Sequence, residues 1–278
     1  MRKRPLRGLV RGLAFLLLTA AVIPLGALAL HLWPGALRPL RRLWCRGVCA
    51  LLGLRVRREG EPFRDCPTLI VANHVSYLDI VVLGCVADAA FVAKAEVARW
   101  PLFGVLARLT GTFFVRRHWR QALIQRDALA ARMREDQSFI LFAEGTSTDG
   151  LSVRPFKTSL LSVAEPWILD CPVAVQAVTL AYLRLADGSP VTRENCNLYA
   201  WHGDTELVPH LWEVLQMDGV EIRLVLHEPS LSWAVQSRKA LGRQLQGQIA
   251  RTLAISRALH GGTSEARPTP RQAVKAAW

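Results

Sequence analysis

The chain has 278 residues and a formal net charge of +13, a length that leaves room for one domain with its own core plus a membrane segment and a short tail, and excludes a many-domain architecture. Twelve Lys or Arg residues and no Asp or Glu fall in residues 1–58, so only +1 remains for the rest. Because this regional charge flanks an apolar run and not a set of stacking aromatics on a soluble domain, it points to an anionic membrane surface and away from nucleic acid.

From Gly12 to Trp33 the sequence reads GLAFLLLTAAVIPLGALALHLW, uncharged when His31 is neutral, and it meets the ~20 residues a spanning helix needs. A cleaved leader with a small-residue site at Ala27-Leu28-Ala29 shares this layout, but the apolar run exceeds the roughly 7 to 15 residues usual there. Residues 1–36 are therefore read as a retained membrane anchor. Arg38, Arg41, Arg42 and Arg46 follow, so both flanks are positive and charge assigns no orientation. Pro24 marks a place for a kink, and a re-entrant or interfacial helix fits as well as a spanning one. From Leu37 to Leu54, Leu40, Leu43, Trp44, Val48 and Leu51 recur among arginines at near-helical spacing, which predicts a basic amphipathic helix at the bilayer.

The remainder of residues 37–259 alternates strand-like apolar runs with helical stretches, predicting an α/β domain with a central, mostly parallel sheet flanked by helices. Expected strands are Thr68–Ala72, Gly111–Val115, Phe139–Ala143, Val173–Leu180 and Val220–His227. Expected helices are Tyr77–Val86, Trp119–Arg134, Thr158–Glu165, Glu206–Met217 and Val235–Leu259. Residues 260–278, rich in Gly, Pro, Ser and Thr, are expected to form a flexible tail. The six cysteines make no Cys-x-x-Cys pair and no zinc-like spacing; they read as reduced, mostly buried residues of a cytoplasmic compartment.

The sharpest chemical feature is Asn73-His74-Val75-Ser76-Tyr77-Leu78-Asp79, directly after the run TLIVA. On one continuous helix His74 and Asp79 would point about 140° apart. They meet only if His74 precedes the helix, with Ser76 or Asn73 as the cap and the imidazole folded back over the first turn. The carboxylate would then hold one tautomer and make the other ring nitrogen a base. The plain alternative is a satisfied strand-end histidine beside a surface aspartate, and the spacing alone does not choose.

Five further segments follow in order. Phe91-Val92-Ala93-Lys94-Ala95-Glu96, with Pro101 and Gly104, has an ordinary amphipathic helix as its plain reading. Gly111-Thr112-Phe113-Phe114-Val115-Arg116-Arg117 ends in guanidinium groups that can grip phosphate or carboxylate, or simply be solvated. Phe142-Ala143-Glu144-Gly145-Thr146-Ser147 again follows a strand, where Glu144 could be a helix-start carboxylate. Arg154-Pro155-Phe156-Lys157 and Cys171-Pro172-Val173-Ala174-Val175 complete the series.

Together, across about residues 68–180, these segments resemble in order and spacing the conserved blocks of the glycerolipid acyltransferase family, also called the lysophosphatidate acyltransferase family. The resemblance implies His74 as base with Asp79 as its partner, and Arg117, Arg116, Lys94, Glu144, Gly145 and Thr146 as substrate-binding residues. Three positions depart from the family's pattern: Ala143 replaces proline, Ser147 replaces an arginine that helps bind glycerol phosphate, and Arg116 stands where an acidic or amide residue is common. Glu144-Gly-Thr-Ser-Thr-Asp-Gly, Ala200-Trp-His-Gly-Asp and Leu207–Trp212 are more similar to the bacterial lyso-ornithine lipid acyltransferases.

The reaction so implied is direct transfer of a fatty acyl group from acyl carrier protein or coenzyme A to the hydroxyl of a lysolipid, lysophosphatidate or lyso-ornithine lipid, with no covalent acyl-enzyme. It implies a bacterial inner-membrane protein with its catalytic domain on the cytoplasmic side. No His-Glu-x-x-His, Gly-x-Ser-x-Gly or phosphate-cradling Gly-Lys-Ser/Thr motif occurs, so no metal and no cofactor are expected. The rival from another class is a non-catalytic membrane protein that binds lysolipid or acyl carrier protein, which leaves His74 and Asp79 unexplained.

Overall fold

The computed structural model describes residues 4–116, 118–169 and 171–261. The tail expected at residues 260–278 falls outside these except for His260 and Gly261, which end the last helix.

Eight strands form one sheet: β1 (Leu54–Glu59), β2 (Thr68–Ala72), β3 (Ala90–Lys94), β4 (Phe113–Val115), β5 (Phe139–Phe142), β6 (Ala174–Leu185), β7 (Val220–Leu226) and β8 (Ser230–Leu231). Their order is β1-β7-β6-β2-β5-β3-β4, with β8 added beside β6. Every pairing is parallel except those of β6 with β7 and with β8. Strand β2, fully buried along TLIVA, sits mid-sheet between β5 and β6 with helices over both faces, which is why its sequence is a continuous apolar run. Ile70 and Ala72 pack into a core with Val48, Leu52, Leu78 and Val82, while Leu69 and Val71 face Leu129, Met133, Leu245 and Ile249.

The first core is covered by α2 (Leu37–Leu52), α3 (Leu78–Val86) and α6 (Leu207–Gln216), the second by α5 (Ala122–Arg134) and α7 (Arg238–Gly261). The short α4 (Phe103–Leu109) lies between β3 and β4 in the chain. Three expectations are corrected. The amphipathic helix stops at Leu52 because Gly53 takes φ +69°, and Leu54 opens β1. The Phe91–Glu96 segment is a strand followed by a 3-10 turn, not an amphipathic helix. Thr158–Glu165 holds only a 3-10 turn, Leu160–Ala164.

Helix α1 (Pro5–Leu32) runs unbroken through Pro24 and packs lengthwise on the domain against α2, α4 and α6. Its buried stripe is Gly8, Phe15, Thr19 and Gly26. At Gly8 a side-chain carbon would come within 2.8 Å of Gln216 Cγ and 3.1 Å of the Trp212 ring, so glycine sets the approach of α1 to α6. Trp44 Nε1 donates to Thr19 Oγ1 at 3.1 Å, and Arg4 and Arg7 pair with Asp218 beyond the end of α6. The opposite face of α1, including Leu6, Leu9, Leu13, Leu16, Leu17 and Leu28, is exposed.

Candidate active site

The end of β2 is pinned before it delivers its histidine. Asn73, buried, donates from Nδ2 to the Leu180 carbonyl at 2.9 Å and accepts the Leu180 N–H at 2.8 Å, fastening the strand end to β6. The next residue, His74, is then held by both of its peptide groups. Its N–H donates to Glu144 Oε1 at 2.8 Å, and its carbonyl accepts from the N–H (2.9 Å) and Oγ1 (3.1 Å) of Thr148. The segment after β5 thus wraps the residue after β2, which is possible because the two strands are neighbours.

His74 lies outside α3, as the spacing argument requires, and its Nδ1–H donates to Asp79 Oδ2 at 2.8 Å. The capping differs from expectation. Asn73 is committed to β6, Ser76 Oγ is buried without a partner, and no side chain caps the helix from Tyr77. Asp79, in the first turn, instead accepts the N–H groups of Val75 (2.7 Å) and Ser76 (3.0 Å) on the same Oδ2 that holds the imidazole. Oδ1 accepts the hydroxyl of Tyr182 at 2.8 Å. Asp79 is fully buried, and four donors around a sequestered carboxylate are what makes its charge tolerable there. The imidazole stacks on Phe142, ring centroids 4.0 Å apart and 13° from parallel, which leaves Nε2 as the edge available to a reacting group.

Burial, with Asp79 beside it, pushes the Tyr182 phenol well above its ordinary value, so it remains a donor. Burial also pushes the Glu144 carboxyl up, opposed by the N–H groups of Arg154 and His74. Oε2 accepts the Arg154 N–H at 2.7 Å, so both Glu144 oxygens go to backbone and this residue positions His74 and the following loop.

The imidazole opens onto a cavity of about 850 Å³. On α1, α2 and α4 its walls are mostly apolar, with Val22, Gly26, Leu37, Leu40, Leu106 and Leu109 beside Arg41; at and beyond the ends of β3, β4 and β5 they carry Lys94, Arg116, Thr146, Ser147 and Lys157. Of the residues expected in the site, His74, Lys94, Arg116, Gly145 and Thr146 line this space, whereas Asp79 and Glu144 support it from behind. Arg117 lies outside the described residues. Tyr182, Thr148 and Phe142 were not anticipated as site residues. A tyrosine within the apolar stretch LAYL was the available signal for the first, since a buried phenol needs a partner.

An imidazole held by a buried carboxylate thus stands at the end of a parallel strand and faces this cavity. The sequence pattern of the acyltransferase family matches residues 55–176. The lyso-ornithine lipid O-acyltransferase of Brucella abortus is 39% identical, covering 85% of this chain and 90% of its own. That of Rhizobium meliloti is 37% identical, covering 96% and 92%. A 1-acyl-sn-glycerol-3-phosphate acyltransferase of Neisseria meningitidis is 33% identical over 64% of this chain and 67% of its own. The crystal structure of the 1-acyl-sn-glycerophosphate acyltransferase of Thermotoga maritima superposes with a TM-score of 0.53, covering 88% of this chain and 96% of that one; at 21% identity it establishes the fold. The chain belongs to the glycerolipid acyltransferase family, and it is an acyltransferase of lysolipids.

Proposed function

We propose that the protein is a lyso-ornithine lipid O-acyltransferase, which moves a fatty acyl group from the thioester of acyl carrier protein or coenzyme A to the free hydroxyl of lyso-ornithine lipid. The observation that carries the acceptor is the match, over nearly full length on both sides, to relatives bearing that name. The 1-acyl-sn-glycerol-3-phosphate acyltransferases match over less of the chain. Ser147, in place of a guanidinium, agrees with an acceptor that lacks a phosphate.

In the reaction, His74 Nε2 takes the hydroxyl proton as the oxygen attacks the thioester carbonyl. The tetrahedral intermediate collapses to the ester, and the proton returns from the imidazolium to the departing thiolate. Asp79, holding Nδ1–H, fixes the tautomer and stabilises the imidazolium. Tyr182 and the Val75 and Ser76 N–H groups keep that carboxylate aimed. The apolar arm of the cavity accommodates acyl chain, which needs no hydrogen-bonding partners along its length.

The exposed leucine face of α1 docks the domain on the bilayer. Its residues recur at helical spacing over nearly the whole helix, and burying each one contributes roughly 1.5–3 kcal/mol. Because the other face of α1 lies along the domain, the cavity arm beside Val22 and Gly26 sits at the level of the lipid tails. The arginines of residues 1–58 add attraction to anionic lipid at a cytoplasmic leaflet.

The test is acylation by membranes containing wild type or His74→Ala, given labelled acyl carrier protein or acyl coenzyme A, with lyso-ornithine lipid and lysophosphatidate offered separately. The expected result is labelled ornithine lipid that depends on His74. Product from lysophosphatidate alone would move the acceptor assignment to that lipid, and equal product from the variant would remove His74 from the chemistry.

A further inference from the structure

Within the cavity, the side chain of Lys157 takes an unusual course for a lysine. Its backbone N–H donates to the Ala143 carbonyl at 2.8 Å, which sets it beside the loop that clamps His74. The side chain then lies across Gly145. A side-chain carbon placed on Gly145, where φ is +69°, would lie 2.8 Å from Lys157 Cδ and 3.0 Å from Nζ. Glycine at 145 therefore serves the turn and clears the ground for the ammonium. The neighbouring acid, Glu144, gives both oxygens to the backbone N–H groups of His74 and Arg154 and forms no ion pair with Lys157.

The other cations of the cavity are differently placed. Arg41 is held by the carbonyls of Ala87 and Ala89 and by Asp88, and Lys94 and His118 already have partners. Arg116 stands at the end of β4, its peptide group held by Gln125. Lys157 is thus a charge beside Gly145, lining the same cavity as His74, that no described acid neutralises, and Ser147, a nearly buried neutral hydroxyl, lines that cavity too.

We propose that the Lys157 ammonium binds the anion of the acceptor's head group, the carboxylate in lyso-ornithine lipid. This rests on the lysolipid acceptor reading above. In such a lipid the anion is only a few bonds from the hydroxyl to be acylated. A cation one loop away from His74 can therefore hold the anion while the hydroxyl meets Nε2. A point-charge ammonium can hold an oxygen of a carboxylate or of a phosphate.

The test compares purified wild type, Lys157→Met and Lys157→Arg, with KM measured separately for acyl donor and acceptor. Methionine keeps an apolar stem over Gly145 and removes the charge; arginine restores the charge. The expected result is an acceptor KM raised about tenfold or more in Lys157→Met, an unchanged donor KM, and recovery in Lys157→Arg. An unchanged acceptor KM in Lys157→Met overturns the proposal, as does equal loss in both variants, which would make the stem and not the charge the important part. Should Lys157→Met fail to fold, the wild-type acceptor KM against ionic strength decides: a rise with salt supports the ion pair, and a flat response overturns it. Running both lipids separates the two readings. Wild type that acylates only lysophosphatidate defeats the lyso-ornithine assignment, while the same variants on that phosphate still test the role of Lys157.

Discussion

At the His74 end of the cavity one residue has its N–H, its carbonyl and a ring nitrogen each fixed by a hydrogen bond, whereas at the α1 end the walls are Val22, Gly26, Leu37 and Leu40, which offer nothing to hydrogen-bond. The first region is specified atom by atom, and a misdirected group there leaves a buried charge or amide unsatisfied. The second is specified by area and shape, so many apolar sequences of similar volume would serve. Chemistry at a single proton calls for the first kind of construction, and accommodation of a flexible hydrocarbon tail for the second.

The largest effect should come from breaking the rigid end at its centre. Asp79→Asn keeps the shape but places an amide NH2 where N–H donors already converge, and removes the charge that selects the tautomer. The expected loss in kcat is about 10³- to 10⁴-fold, by analogy with other carboxylate–imidazole pairs. A loss under tenfold would show that Asp79 is structural only.

At the other end, Leu13→Lys with Leu17→Lys should release the protein from membranes, since each change costs about 2 kcal/mol or more of apolar burial. Fractionation measures this, and kcat on detergent-dispersed acceptor should stay near the wild-type value because neither residue lines the cavity. Retention in the membrane pellet would mean that another surface docks.

The smallest effect, and the one that refines the comparison, is Tyr182→Phe. It removes one of four donors to Asp79, lowering stability by about 1–3 kcal/mol on denaturant titration and kcat by about tenfold. An unchanged kcat would confine Tyr182 to packing.

The parts legible in the sequence were those with local signals. Strand β2 announced itself as a continuous apolar run, whereas helical geometry only allowed the His74–Asp79 pairing and the resemblance to the acyltransferase blocks chose it. Strand β1 was hidden because Arg55, Arg57 and Arg58 continue the basic pattern of α2, and only the left-handed turn at Gly53 separates the two. The expected strand ending at Leu180 continues to Leu185, and Tyr182 lies in that extension. The clamp by Glu144 was unreadable for another reason: the carboxylate is visible in the sequence, but its partner amide is 70 positions away. Likewise the sequence shows that Asp79 can start a helix but not that the oxygen holding the Val75 and Ser76 N–H groups also holds the imidazole.

The docking of α1 also bears on how the chain is assembled. Arg4 and Arg7 meet Asp218 across 214 and 211 positions, and Gly8 rests on Trp212 and Gln216. Helix α1 therefore completes its seat only after α6 has been synthesised. Until then the stretch of α1 around Gly8 is as uncovered as its outer face, while α2 and α4 can already cover Thr19 and Gly26, so the N-terminal turns are the part of this helix most exposed to aggregation during translation.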